Sequence, residues 1–399
     1  MDRDAPHMEE ARPVRPEELG QVLALVNKVF RTGVDQDMST DYPLVFAPGN
    51  LDNLRVVSEG GSIFSHAAMA RRELREHGCA LPVSMICAVA TDPERRRRGA
   101  ASRIMEDTVE AMAARGDAFG LLWTGPARDF YRRLGWEVVG SNGWAYQVEP
   151  QLAGRFEQPL HVRPFQAGTD LERIIEIHEA QPRRLTRTEA EYRTLLGLPK
   201  SEVWVAEEKG RAEGYLVVAR AYNKSGVVEW GGTAGALSSL LARVLPEPAG
   251  ERMQVFVPLP DNPMTELLTG RGCRRRIPME TADGCGLKMA RILSLENLLR
   301  QLSPYLKNRL AGGSGQVSLW VRETGERVDL RWDEGDLEVG GGRASGPGDG
   351  ARELTLRQAA RLVFGPEKPS QILDLSQEAA SGLDRTLPFV FHIGMLDYV

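Results

Sequence analysis

The stretch Ala88-Val89-Ala90-Thr91-Asp92-Pro93-Glu94-Arg95-Arg96-Arg97-Arg98-Gly99-Ala100-Ala101 constrains this chain more than any other. A hydrophobic strand over Val83 to Ala90 runs out through Pro93 into a short arginine loop, and that loop opens directly into an amphipathic helix. The first N–H groups of a helix have no partner inside it, and the helix dipole adds partial positive charge there. Strand, glycine loop and helix start therefore build a phosphate cradle from backbone alone. Within it, Arg96-x-x-Gly99-x-Ala101 puts small side chains where a pyrophosphate must approach the main chain, with guanidinium charge beside them. A dinucleotide fingerprint fits worse, since the loop lacks its three glycines and no acidic residue closes a second strand at the usual distance. The plain alternative is a basic solvated loop before an ordinary helix.

The rest of the chain sets the frame for that loop. Its 399 residues suggest two or three domains at roughly 150 residues each. With 42% apolar and 26% charged residues it has ample core for a soluble globular fold. A net charge of −5 gives no global basic footprint, which argues against nucleic acid as a partner. Four cysteines (Cys79, Cys87, Cys273, Cys285) show no CxxC spacing and few histidines accompany them, so neither zinc nor a disulfide framework is expected. Reduced thiols in a cytoplasmic protein is the plain reading. The start, MDRDAPHMEEARP, is polar and acidic, unlike a signal peptide, and no apolar run approaches the ~18 residues that span a bilayer.

Periodicity divides the chain into three segments, read as 12–150, 155–288 and 289–399. The first holds an amphipathic helix at Leu19 to Phe30 with Val22, Leu23, Val26 and Phe30 on one stripe, then a hairpin through Glu59-Gly60-Gly61-Ser62. After the arginine loop, a helix to about Arg115 aligns Ala101, Ile104, Met105, Thr108, Val109 and Met112. Strand Phe119 to Thr124, a short helix Ala127 to Leu134, and strands near Glu137 to Val139 and Trp144 to Val148 complete an α+β unit. In the second segment Val162-Arg163-Pro164 repeats Val14-Arg15-Pro16, again before a helix (Leu171 to Glu179) and a strand-turn-strand, which reads as a degenerate internal duplication. Its nearest counterpart of the arginine loop, Trp230-Gly231-Gly232-Thr233-Ala234, has glycines but no basic residue. The third segment reads as a helix at Leu295 to Leu310, strands Gln316 to Arg322 and Val328 to Trp332, a glycine stretch at Gly340 to Gly350, and a helix Leu356 to Phe364. The chain closes on an apolar tail, Leu387 to Val399.

Residues 88–101, in spacing and context, resemble the coenzyme A loop of the GNAT (general N-acetyltransferase) superfamily, and Phe130-Tyr131-Arg132-Arg133-Leu134-Gly135-Trp136 resembles its second motif. The helix, strands and Leu356-x-x-x-Ala360-x-x-x-Phe364-Gly365 of the third segment resemble the sterol-carrier-protein fold. Together they resemble the Eis-type (enhanced intracellular survival) acetyltransferases. That likeness implies tandem GNAT folds, the second degenerate, followed by a sterol-carrier-like domain. It also implies acetyl-CoA as co-substrate, no metal, an amine acceptor (aminoglycoside, polyamine or lysine side chain), and a hexamer. In that family the terminal carboxylate reaches the active site; relatives commonly end in an aromatic residue, where this chain ends in Val399.

Carried onto this sequence, the resemblance assigns the coenzyme to Val89, Ala90, Thr91, Arg96, Arg97, Arg98, Gly99, Ala100, Ala101 and Ser102. Val89 and Thr91 would pair with the pantetheine arm as an extra strand, and the loop backbone would hold pyrophosphate. Tyr131 would protonate the departing thiolate, and the carboxylate of Val399 would take the amine proton. A phenol near pKa ~10 and a thiol near ~8.5 demand either concerted transfer or arginines that lower the phenol. Tyr42 and Tyr146 stand outside the motif, and His66 and His392 read first as core histidines, His66 with a second reading as proton relay. Asp35, Asp37 and Asp41 would favour a cationic acceptor, or simply be solvated. The rival from another class is an acyl-CoA-binding sensor or lipid carrier that keeps the loop and does no chemistry.

Overall fold

The computed structural model describes residues 8–34, 36–140, 143–221, 224–245, 253–258, 262–278 and 287–398. The chain forms two compact units: one takes in the chain up to Gly140 and Leu287–Val390, the other the stretch between them and Phe391–Tyr398. Among the described residues no helix is long and apolar enough to cross a membrane.

In the first unit the edge strand β1 (Arg12–Pro13) leads to α1 (Leu19–Phe30). The buried stripe of α1 is Val22, Leu25 and Val26; of the other residues expected on it, Leu23 is half-buried and Phe30, the last residue of the helix, is exposed. After α2 (Met38–Asp41) come β2 (Leu54–Glu59), β3 (Ser62–Glu76) and β4 (Cys79–Thr91), a meander. Its hairpins turn on Gly60-Gly61 and His77-Gly78, both pairs at positive φ, the geometry that matches strand twist. β3 is buried without a break from Ile63 to Ala70, so it is covered on both faces. α3 (Ala100–Ala114), β5 (Phe119–Thr124), α4 (Arg128–Arg133) and β6 (Glu137–Val138) follow. Ala100, Ile104, Met105, Thr108 and Met112 are the buried face of α3; Ile104, Met105, Thr108 and Met112 of the expected row are among them, while Ala101 and Val109 are only half-buried.

The second unit comprises β7 (Gly143–Val148), β8 (His161–Pro164), α5 (Ala167–Glu179), β9 (Arg184–Leu185), α6 (Glu189–Leu196), β10 (Ser201–Glu208), β11 (Arg211–Ala221), β12 (Lys224–Gly232), α7 (Ala234–Val244), β13 (Met253–Pro258), α8 (Pro263–Gly270) and β14 (Arg274–Pro278). Its core is Leu237, Leu240 and Leu241 of α7 against Leu216, Val218, Val227, Val255 and Val257. The chain then returns to the first unit through β15 (Leu287–Ile292), α9 (Leu295–Gln301) and α10 (Ser303–Leu310). The single helix expected over Leu295 to Leu310 breaks at Leu302, since Pro304 has no N–H for a helical bond and restarts the helix from its first turn. β16 (Ser314–Val321), β17 (Glu326–Asp333), β18 (Asp336–Arg343) and β19 (Arg352–Leu354) form a separate sheet in the order β18-β17-β16-β19, with α11 (Leu356–Phe364), α12 (Pro369–Ile372) and α13 (Gln377–Thr386) after it. β18 runs through Gly340-Gly341-Gly342, read from sequence as loop: full pairing with β17 holds the glycines extended.

The two large sheets share one plan. The first runs β1-β2-β3-β4-β5-β15-β6 and the second β8-β10-β11-β12-β13-β7-β14. In each, an edge strand and a meander lead through a helix (α3, α7) to a parallel partner, β5 or β13. The sixth strand is exchanged: β7, which follows the first set in sequence, pairs β13, and β15, which follows the second, pairs β5. The strand expected at Trp144 to Val148 therefore completes the second sheet, not the first. Alternating residues fit either partner equally, so local sequence leaves this exchange open.

Candidate active site

β4 pairs with β5 only over Val83–Ile86 against Phe119–Leu122, then parts from it. From Cys87 to Thr91 it has β3 on one side and, among the described residues, no strand on the other, and Cys87, Ala88 and Val89 are partly exposed. The register with β3 slips between His66 and Ala68, and Ala88 opposite takes φ 49, a bulge. An unpaired strand edge beside a bulge offers main-chain donors and acceptors to an extended ligand.

The loop that leaves this edge is short and braced. Asp92 caps the turn by accepting from Glu94 N at 3.1 Å and pairs with Lys28 Nζ at 3.0 Å. Gly99, the N-cap of α3, sits at φ +86 and has no side chain to satisfy the first-turn N–H groups. A Cβ built there meets nothing within 4 Å, so open space lies above the helix start, as an anion requires. Ala100 beneath is buried, while Arg96, Arg97 and Arg98 are exposed. Their side chains differ. Arg98 forks onto Glu59 at 2.5 and 3.0 Å and lies 5.6 Å from the Phe64 ring, with Arg95 5.3 Å from the same ring. Arg96 Nε donates to Thr91 O at 3.3 Å; neither Arg96 nor Arg97 forms an ion pair with the described residues. Arg97, at φ 63, sits in the left-handed region just before the helix. Glu59 and Phe64, which order this loop from far upstream, carry no mark in the sequence.

Tyr131 lies on α4 and packs in one apolar cluster with Ala100, Ile104, Ile86 and Val89, so the fold brings it to the strand edge and the loop. It is 7% exposed, its hydroxyl makes no hydrogen bond with the described residues, and burial pushes its pKa up to about 12. No arginine acts to lower it, so the route in which neighbouring cations acidify the phenol is not the one built here. His66 is fully buried; its Nδ1 donates to Ala88 O at 2.9 Å at the bulge, which leaves Nε2 as a lone pair without a partner. Burial, only partly offset by that hydrogen bond, lowers its pKa to about 4. A neutral, enclosed imidazole does not relay protons near pH 7, so His66 pins the bulge. Burial raises the Cys87 thiol to about 12, far from a reactive thiolate.

Residues 10–139 match the acetyltransferase (GNAT) domain family. This stretch is similar to GNAT-type acetyltransferase domains. The whole chain also resembles solved structures: a GCN5-related N-acetyltransferase from Kribbella flavida (18% identity, 100% of each chain, TM-score 0.73), and a probable N-acyltransferase from Enterococcus faecalis V583 (19%, 98% of each, 0.72). Eis1 from Mycobacterium abscessus is similar at 14% identity over 96% of this chain and 99% of that one, with a TM-score of 0.63. At these identities the likeness is one of fold. No protein of curated function matches the sequence.

Several other candidates lie elsewhere in residues 10–139 or outside them. Asp41 is paired with the buried Arg31 at 2.8 Å, and Asp37 caps α2 by accepting from Ser39 N at 2.8 Å; Asp35 lies outside the described residues. Both described aspartates thus hold the α1–α2 segment together rather than stand free. Burial raises Tyr42 to about 12 with Arg31 6.0 Å from its ring, and Tyr146 belongs to the second sheet, its hydroxyl 3.3 Å from Thr269 Oγ1. His392 is half-buried in the tail of the second unit. Val399 lies outside the described residues.

In the second sheet the place that corresponds to the loop is closed. Thr233 caps α7 by accepting from Ala236 N at 3.2 Å, and a Cβ on Gly232 would come within 2.3 Å of Glu213 O. The Trp230 indole donates to Phe256 O at 3.0 Å, stitching β12 to β13 where the strands part. Among the described residues of this unit one group has metal-ligand spacing, His178, Glu229 and Asp397, but Arg187 lies on both carboxylates and supplies the cation itself.

Proposed function

We propose that the chain is an acetyl-CoA-dependent N-acetyltransferase for a primary amine, with its active site in the GNAT domain. One observation carries this: the uncapped, open start of α3 at Gly99 lies at the end of the unpaired β4 edge, with Tyr131 packed against both. The edge at Val89, Ala90 and Thr91 would take the pantetheine arm, and the backbone from Arg96 to Ser102 the pyrophosphate, with Arg97 as the guanidinium most available to it. In the reaction the amine nitrogen bonds to the thioester carbonyl carbon, the C–S bond breaks, and its electron pair leaves on sulfur. Tyr131 gives the sulfur its proton. With the phenol near 12 and a thiol near ~8.5, a stepwise transfer would be uphill by ~5 kcal/mol, so the proton moves as the C–S bond breaks. The carboxylate of Val399 takes the amine proton or draws in the ammonium form, as the Eis-type likeness implies. The same likeness supports a sterol-carrier-like third domain and a hexamer, and the free cysteines fit a cytoplasmic site of action.

Thiol release from acetyl-CoA, measured against polyamines, aminoglycosides and lysine peptides, tests the reading. Turnover with any amine supports it; tight acetyl-CoA binding with no turnover across the panel would point to a sensor.

A further inference from the structure

We infer that the amine accepted at this site carries an aromatic or broad apolar body, as an arylalkylamine does, and that residues 30–46 recognise that body. This rests on the proposal that the free edge of β4 holds acetyl-CoA, and all the residues involved belong to the first unit. Ile86 and Val89 turn toward α3 and α4 and pack in one cluster with Tyr131. Successive residues of a strand face opposite ways, so Cys87, next after Ile86, turns to the other side of the sheet. Trp123 does the same, next after Leu122 of that cluster, where β5 parts from β4. With Tyr131 on the first side of the edge, the second is left for the amine.

Rings line that second side. Tyr42 stands near enough to Cys87 for phenol and thiol to interact. Phe46 is buried, its ring 6.2 Å from that of His66 and within 27° of parallel, and His66 holds Ala88 O at the bulge. Arg31 braces the segment: its guanidinium lies 6.0 Å from the Tyr42 ring and donates to Phe30 O at 3.1 Å, and Arg31 O accepts from Val34 N at 3.2 Å. Phe30 and Val34, 36% and 46% exposed, are the exposed large apolar side chains among the described residues, and both flank Arg31. One exposed apolar residue is ordinary on a protein surface. Two on one braced turn, beside a ring-lined edge, make a place for an apolar group.

Charge separates this acceptor from a polycation. Arg31 takes the carboxylate of Asp41, Ser39 and Asn27 take that of Asp37, Lys28 that of Asp92, and Arg98 that of Glu59. Arg96 and Arg97 form no ion pair with the described residues, so the edge carries positive charge that suits phosphate and opposes several ammonium groups. A monoamine sheds its one proton before it attacks, so contact with its body holds it where charge does not.

The full chain is assayed with acetyl-CoA and phenethylamine, butylamine, spermidine or kanamycin, and calorimetry reads the binding of each amine to the enzyme saturated with coenzyme A. Phenethylamine is expected to exceed each of the others at least tenfold in kcat/KM and in affinity. Phe30→Asp combined with Val34→Asp, checked for a cooperative melt, should lose that advantage through KM. Its kcat for butylamine and its acetyl-CoA affinity should stay within twofold of wild type. Phe30→Leu combined with Val34→Ile should keep the advantage. Spermidine or kanamycin equal to phenethylamine overturns the inference, and so does an advantage that the two aspartates leave intact. If no amine is acetylated the proposed activity fails, and calorimetry still judges the inference. Tighter phenethylamine binding that the aspartates abolish then supports an apolar amine site, and equal binding of all four amines removes it.

Discussion

Tyr131 and His66 show how burial decides the use of a titratable side chain. Removing the Tyr131 hydroxyl should lower kcat roughly 10²-fold, the usual scale for a lost general acid, with acetyl-CoA affinity nearly unchanged. Since its pKa lies near 12, the phenol keeps its proton throughout the working range. The wild-type to Tyr131→Phe ratio of kcat should therefore stay flat from about pH 7 to about pH 10; a ratio that collapses near pH 9 would mean the phenol ionises there. His66 works in the opposite direction. Its folded pKa, about 4, lies below the unfolded value of ~6.5, so it contributes stability above pH ~6.5 that is lost as pH falls toward 4. The full difference is ~3 kcal/mol. His66→Gln keeps a donor for Ala88 O and does not titrate, so its stability should fall less between pH 7 and 4, by about that amount, in urea melts at fixed pH. Equal acid losses in the two proteins would show that His66 is protonated in the folded state.

At the scale of elements, the contrast is between two helix starts on one plan. α3 begins at a glycine with open space above it, and α7 begins at a threonine that caps its own helix, behind a glycine pressed on backbone. Gly99→Val places a Cβ in that open space and also forces a β-branched residue to φ +86, at a local cost of about 1–2 kcal/mol. It should abolish measurable acetyl-CoA binding while the protein still melts cooperatively. Arg95→Ala, by contrast, removes a ring contact with Phe64 and an ion pair to Glu59 at 3.9 Å, and should weaken binding only severalfold. Calorimetry in which Gly99→Val binds normally would remove the loop from the site.

For the whole molecule, the exchange of β7 and β15 makes each large sheet depend on the other's stretch of chain. A fragment ending at residue 150, the end of the first segment by periodicity, lacks β15, whose Met289, Ala290 and Ile292 are 0, 0 and 2% exposed. It would expose the edge of β5 and carry β7 with no β13 to pair. Such a fragment should show no cooperative thermal transition, and adding residues 287–292 through a flexible linker should restore one; a cooperative melt of the shorter fragment would show that the sheet closes without β15. The sequence by itself determined what local chemistry determines. The 3.6-residue row on α3, the apolar run of β4, the glycine at the helix start and the repeated Val-Arg-Pro entry each act through neighbours a few residues away. Tertiary structure decided the rest, because those choices rest on partners far apart in the chain. Glu59 claims Arg98, Arg31 claims Asp41, the hydrogen bond to Ala88 and the burial of His66 fix that imidazole as neutral, and Arg187 meets Asp397 across most of the second half of the chain. A strand carries its alternation into any sheet with an open edge, and only packing selects which sheet that is.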